Sequence, residues 1–108
     1  MASKKDEIIQ MVNTFLVRVR ENHDVRAAYL FGSYARGTEK EYSDVDLAII
    51  LGSEKISFNS PFDEQFRIFH EAQEFNSLLE VICIGQDEFE RNGGALVQQI
   101  KKEGIRII

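Results

Sequence analysis

The chain predicts an α/β domain, a small mixed β-sheet flanked by helices. Three observations carry this. Ile8, Ile9, Val12, Phe15, Leu16 and Val19 recur at helical spacing. Apolar runs at 25–31, 44–51 and 78–84 have the length of strands. Helical patterns alternate with them, and glycines punctuate the joints, as in a sheet covered by helices.

Taken in order, Ser3 is placed to cap a first helix running to about Arg20. Residues 25–31 form a strand that Gly32 ends, and Ser33 then caps a short helix that Gly37 stops. After a polar loop, 44–51 is the second strand. Ser60-Pro61, with Asp63 in the first turn, starts a helix that ends near Asn76. Residues 78–84 are the third strand, and Gly85-Gln86-Asp87 opens a polar turn. Gly93-Gly94 precedes a last helix over 95–103, and Gly104 stops it before a short terminal strand at 105–108.

The 108 residues make a single domain, 1–108, with an ordinary balance of 44% hydrophobic and 29% charged residues. A net charge of −5 argues against an extensive nucleic-acid surface. No apolar run is long enough to span a membrane, and no signal peptide is expected at the N-terminus. Cys83 is the only cysteine; it cannot form an internal disulfide, which fits a cytoplasmic protein.

The chemistry is written in GSYARGTEKEYSDVDLAIIL. Gly32-Ser33 closes an apolar run as a strand closes on a phosphate-binding turn, because glycine lets the backbone approach phosphate oxygens. Ten residues later, Asp44 and Asp46 flank Val45. Residues i and i+2 of a strand share a face, so their carboxylates converge, and two such anions call for a hard cation, Mg²⁺ or Mn²⁺. Glu80 is the one charge in an otherwise apolar strand. Read as buried, it needs a partner and makes a third metal ligand; read as an edge residue, it simply faces solvent. Arg36 lies one turn into the short helix, within reach of a phosphate or of solvent. Phosphate turn and paired carboxylates together suit metal-assisted nucleotidyl or phosphoryl transfer.

Other residues read more blandly. His23 in a polar loop and His70 on a helix have no ligand cluster and read as surface residues. Cys83 points away from Glu80 and reads as core. Phe62, Phe66 and Phe69, with Phe58 and Phe75 nearby, give the third helix more aromatic surface than a small sheet covers, which suggests an interface with another chain.

At Gly32-Ser33, Asp44-Val45-Asp46 and Glu80 the chain resembles the nucleotidyltransferase superfamily related to DNA polymerase β, and within it the minimal nucleotidyltransferases of bacteria and archaea. The flanking GSYARG and SDVDLAI, and the ending from Ile100 to Ile107, look like that family too. The resemblance implies the nucleotidyltransferase fold. It implies that Gly32 and Ser33 hold a triphosphate, that Asp44 and Asp46 bind catalytic metals, and that Glu80 binds one metal and helps deprotonate an acceptor hydroxyl. It departs from the family's pattern at Glu80, where aspartate, one methylene shorter, is more usual. The helical acceptor-binding region of antibiotic-modifying relatives is also absent from these residues. The implied reaction is transfer of a nucleoside monophosphate, AMP from ATP, to a hydroxyl on a partner protein, as in pairs with HEPN-domain proteins. A non-catalytic antitoxin-like binding module, and transfer to an aminoglycoside-like small molecule, are the alternatives. Assembly of the site with a second copy of the chain is another.

Overall fold

Four strands order themselves as β3-β2-β1-β4 in one mixed sheet. The structure is a computed structural model and describes residues 4–38, 40, 43–52, 64–91 and 94–108. Along the chain these form α1 (Lys4–Asn22), β1 (Val25–Phe31), α2 (Ser33–Arg36), β2 (Val45–Leu51), α3 (Glu64–Phe75), β3 (Leu79–Gly85), α4 (Gln86–Glu90), α5 (Ala95–Glu103) and β4 (Ile105–Arg106). β1 runs antiparallel to both β2 and β4, and β2 runs parallel to β3.

Strand alternation divides the sheet's two faces cleanly. Val45, Leu47, Ile49 and Leu51 of β2 join Val12, Phe15, Leu16 and Val19 of α1 and Ile68 and Ala72 of α3 in the larger core. Cys83 belongs to that core, as expected. Ala48 and Ile50 turn the other way, onto Phe89 of α4 and Val97 and Ile100 of α5. Asp46 shares their parity and lies on that second face, toward the end of the sheet.

Several boundaries differ from the sequence expectation. α1 continues to Asn22, two residues past Arg20. Gly32 is the N-cap of α2 and Ser33 is its first residue, so Ser33 does not cap it. β2 starts at Val45, leaving Asp44 just ahead of the strand. β3 is shifted by one residue, because Asn76 Oδ1 accepts the Leu78 N–H at 2.9 Å and holds Leu78 in the turn. The expected polar turn after Gly85 is a short helix, α4, whose Phe89 is buried against the sheet. A single turn is too short for helical periodicity to show. β4 is only two residues long, although Ile107 N–H still donates to Ala28 O at 2.8 Å.

His23 is also not a surface residue. Its side chain is 6% exposed, with Nδ1 2.9 Å from Glu64 and Nε2 3.7 Å from Glu71. Tertiary packing of α3 over the α1–β1 turn encloses it. His70 is exposed and meets Phe66 edge-on. Phe66 and Phe69 are 45% and 42% exposed, while Phe75 packs on Phe15. Ser3, Phe58, Ser60, Pro61, Phe62, Asp63 and Gly93 lie outside the described residues. Among the described residues, no helix is long and apolar enough to cross a membrane.

Candidate active site

The topology brings four strand ends to one edge of the domain. β1 exits there, and β2, β3 and β4 start there, because β1 is antiparallel to β2 and β4 while β3 follows β2. Phe31 of β1, Asp46 of β2 and Glu80 of β3 form one row across the sheet: Phe31 is opposite Asp46, and Asp46 is opposite Glu80. Residues paired in this way present their side chains on the same face. Asp46 thus stands between an aromatic ring and a second carboxylate.

This placement governs how Asp46 ionises. Burial, followed by the charges of Glu80 and Asp44 and a hydrogen bond with Glu80, pushes its carboxyl up from 3.8 to about 6. The charge of Arg36 acts in the opposite direction. A half-buried carboxyl facing two others is a group whose ionised form is only partly compensated, here by Arg36.

Glu80 is exposed, which corrects the reading that it is a buried charge in search of a partner. The apolar sequence around it misleads because β3 lies at the edge of the sheet: α3 covers one face, and on the other Ile84 is buried with Phe89 while Glu80, at the opposite end of the strand, is left exposed. Asp44 is exposed as well, beyond the strand, so strict strand alternation does not aim it. Among the described residues, no three His, Cys, Asp or Glu side chains are gathered closely enough to hold a metal ion. The donors fit a hard divalent cation by their chemistry and by their location at one strand end, without forming a closed coordination shell.

Gly32 has φ +74° and ψ −150°, a region that side chains other than hydrogen rarely allow. A Cβ there would run into the Asp46 carboxylate. The glycine is therefore needed for close approach, but the group approaching its α-carbon is Asp46 itself. Tyr34, fully buried in the larger core, roots α2 beneath the turn, and its hydroxyl has no hydrogen-bond partner among the described residues. Gly37 ends α2 in the left-handed conformation, with its N–H bonded to Ser33 O. Ser33 is half-buried and Arg36 exposed. Arg36 Nη1 lies 3.5 Å from Glu103 Oε2 at the end of α5, a partner that no local pattern in the sequence announces.

The family profile described as "Polymerase beta, Nucleotidyltransferase" matches residues 16–108, nearly the whole chain. The chain belongs to this family. The resemblance drawn from the motifs therefore holds at the level of the family. Over 43 residues this nucleotidyltransferase is 40% identical to a Methanocaldococcus jannaschii protein that bears the name of a protein adenylyltransferase; the match covers 40% of this chain and 50% of that protein. The chain thus matches half the length of that relative. A Sulfolobus solfataricus structure described as a nucleotidyltransferase has a TM-score of 0.60 at 16% identity, covering 94% of this chain and 80% of that one. A toxin–antitoxin structure with AMP-PNP has a TM-score of 0.58 at 19% identity, covering 88% and 71%. At these identities the structural likeness speaks for the fold, a mixed four-stranded sheet flanked by helices.

Proposed function

We propose that this nucleotidyltransferase carries out metal-dependent transfer of AMP from ATP to a hydroxyl of a partner protein. The observation that supports it most is the row Phe31–Asp46–Glu80 beside the Gly32 turn, at the end of the sheet where Asp44 also lies. Asp44, Asp46 and Glu80 would hold Mg²⁺ or Mn²⁺, and Gly32, Ser33 and Arg36 would hold the triphosphate. A bound divalent ion supplies charge neutralisation at the α-phosphate and at the attacking and leaving oxygens. Glu80, the most solvent-accessible of the row, is suited to take the proton of the incoming hydroxyl. The acceptor oxygen then bonds to the α-phosphorus as the bridging bond to the β-phosphate breaks, and pyrophosphate leaves. Support for a protein acceptor comes from the name of the archaeal relative and from the toxin–antitoxin structures that share the fold. A HEPN-domain protein is the partner that the motif resemblance favours. The exposed Phe66 and Phe69 of α3 offer it an apolar contact.

The second reading, a non-catalytic binding module, is favoured by the open arrangement of the three acids. Two measurements separate the readings. Mg²⁺ with ATP raises the melting temperature of the wild type, by the equivalent of about 2.7 kcal/mol at a hundredfold excess over the dissociation constant. Asp46→Asn loses that rise while its ligand-free form is as stable or more stable. On co-expression with the protein encoded beside it, that protein gains the mass of one or more AMP groups, and the gain needs Asp44 and Asp46. Binding without added mass establishes the module instead.

A further inference from the structure

Arg36 and Glu103 are 67 positions apart in the chain. The topology makes them neighbours. β4 pairs antiparallel with β1 so that Ile105 faces Leu30. Gly32 follows Leu30 by two residues and Glu103 precedes Ile105 by two, so α2 departs and α5 arrives at the same corner of the sheet. That corner is well anchored. Val97 and Ile100 bury the inner side of α5, and the Gly104 N–H donates to Ile100 O at 2.7 Å. On the other side, the buried Tyr34 fixes α2. Two firmly seated elements thus hold out a guanidinium and a carboxylate, 3.5 Å apart and both part-exposed.

We infer that Glu103 is a positioning residue for Arg36, holding one edge of its guanidinium so that the other edge faces the triphosphate. This rests on the proposed reading of the Gly32 turn and Arg36 as the phosphate side of the site. A guanidinium carries five N–H donors in a rigid fork, and Glu103 meets it through Nη1 alone, which leaves donors for a second anion. The Arg36 N–H donates to Gly32 O at 3.1 Å, and the Gly32 α-carbon abuts the Asp46 carboxylate, which places Arg36 on the side of the candidate site. A free arginine side chain on a four-residue helix would sample many rotamers, and ordering them on nucleotide binding would cost affinity. Glu103 meets part of that ordering cost before the nucleotide arrives.

A carboxylate beside a polyanion site also repels the ligand, and this gives the inference a sign test. If Glu103 acts only through space, removing it tightens nucleotide binding. If it positions Arg36, removing it weakens binding. Solvent screening keeps the through-space effect of an exposed charge small, so weakening is the expected sign.

The test is titration of the whole chain with Mg²⁺ and α,β-methylene-ATP, which cannot transfer its nucleotide, alongside a melting curve for each variant. Glu103→Ala weakens affinity about two- to fivefold, in keeping with a part-exposed ion pair, and Glu103→Gln weakens it less. Arg36→Ala weakens it about tenfold or more. In the Arg36→Ala background, Glu103→Ala has no further effect, and melting temperatures stay level throughout. Tighter or unchanged binding by Glu103→Ala, or additive losses in the double variant, overturns the inference while leaving the site reading intact. An Arg36→Ala variant that binds like the wild type, or a wild type that does not bind the analogue, removes the phosphate role of Arg36 and the inference with it.

Discussion

On one face of the sheet, two long helices close over a continuous apolar surface; on the other, a one-turn helix and α5 cover Ala48 and Ile50 but stop short of Asp46. Both faces are built by the same strands, often by adjacent residues. Leu47 is fully buried under α1 and α3, while Asp46, its neighbour, stands on the side that α4 and α5 only partly cover. The closed face contributes most of the apolar burial and therefore most of the stability. The half-covered face keeps together carboxylates that repel one another, a cost the closed face must offset. Stability and chemistry are thus separated by the two-residue period of a strand.

The comparison is broken most forcefully on the closed face. Leu47→Ala removes a fully buried side chain and is expected to cost about 2–5 kcal/mol. Urea unfolding reads this as a lower midpoint, and the nucleotide response of the remaining folded protein persists.

A pair of glycines sharpens it next. Gly32 and Gly37 share the same φ of +74°, but a Cβ at Gly32 meets the Asp46 carboxylate, while one at Gly37 meets nothing within 4 Å. Gly37→Ala should cost about 1 kcal/mol of backbone strain and leave the Mg²⁺-ATP thermal shift intact. Gly32→Ala should cost about 1–3 kcal/mol and abolish the shift, because it also displaces Asp46. Equal loss of the thermal shift in both variants would show that backbone strain, and not the contact with Asp46, is what matters.

The last expected effect is a pH dependence. With the Asp46 carboxyl raised from 3.8 to about 6, the folded state holds that proton more tightly than the unfolded state. The resulting stabilisation is fully present below pH 3.8 and is lost as pH rises through about 6. Melting temperatures of the wild type minus those of Asp46→Asn, measured without metal in steps across this range, should therefore fall as pH rises. A flat difference would mean that neither burial nor the neighbouring carboxylates raise the Asp46 carboxyl.

Much of this was legible in the sequence, for identifiable reasons. β1 and β2 are apolar runs bounded by Gly32 and by the aspartates, so local pattern and tertiary structure agree. Asp46 and Glu80 were both visible as acids in apolar strands, but the burial expected of Glu80 was wrong, because sequence does not say which strand lies at the edge. α4 was hidden because one turn leaves no periodicity. His23 looked like a polar loop residue because the helix that encloses it lies 41 positions away. Arg36 stood out in its motif, whereas Glu103, its partner from α5, is brought near only by the pairing of β4 with β1.

The edge position of β3 bears on more than geometry. Among the described strands β3 has one neighbour, β2, whereas β2 is bonded on both sides. Sub-global opening of a protein starts where fewest backbone bonds must break, so the β2–β3 ladder is expected to exchange its amide hydrogens sooner than the β1–β2 ladder. Forming it is also the slower event, since pairing β2 with β3 closes a much longer stretch of chain than pairing β1 with β2. The acid row therefore depends on the edge ladder between β2 and β3 as much as on the central pairing of β1 with β2.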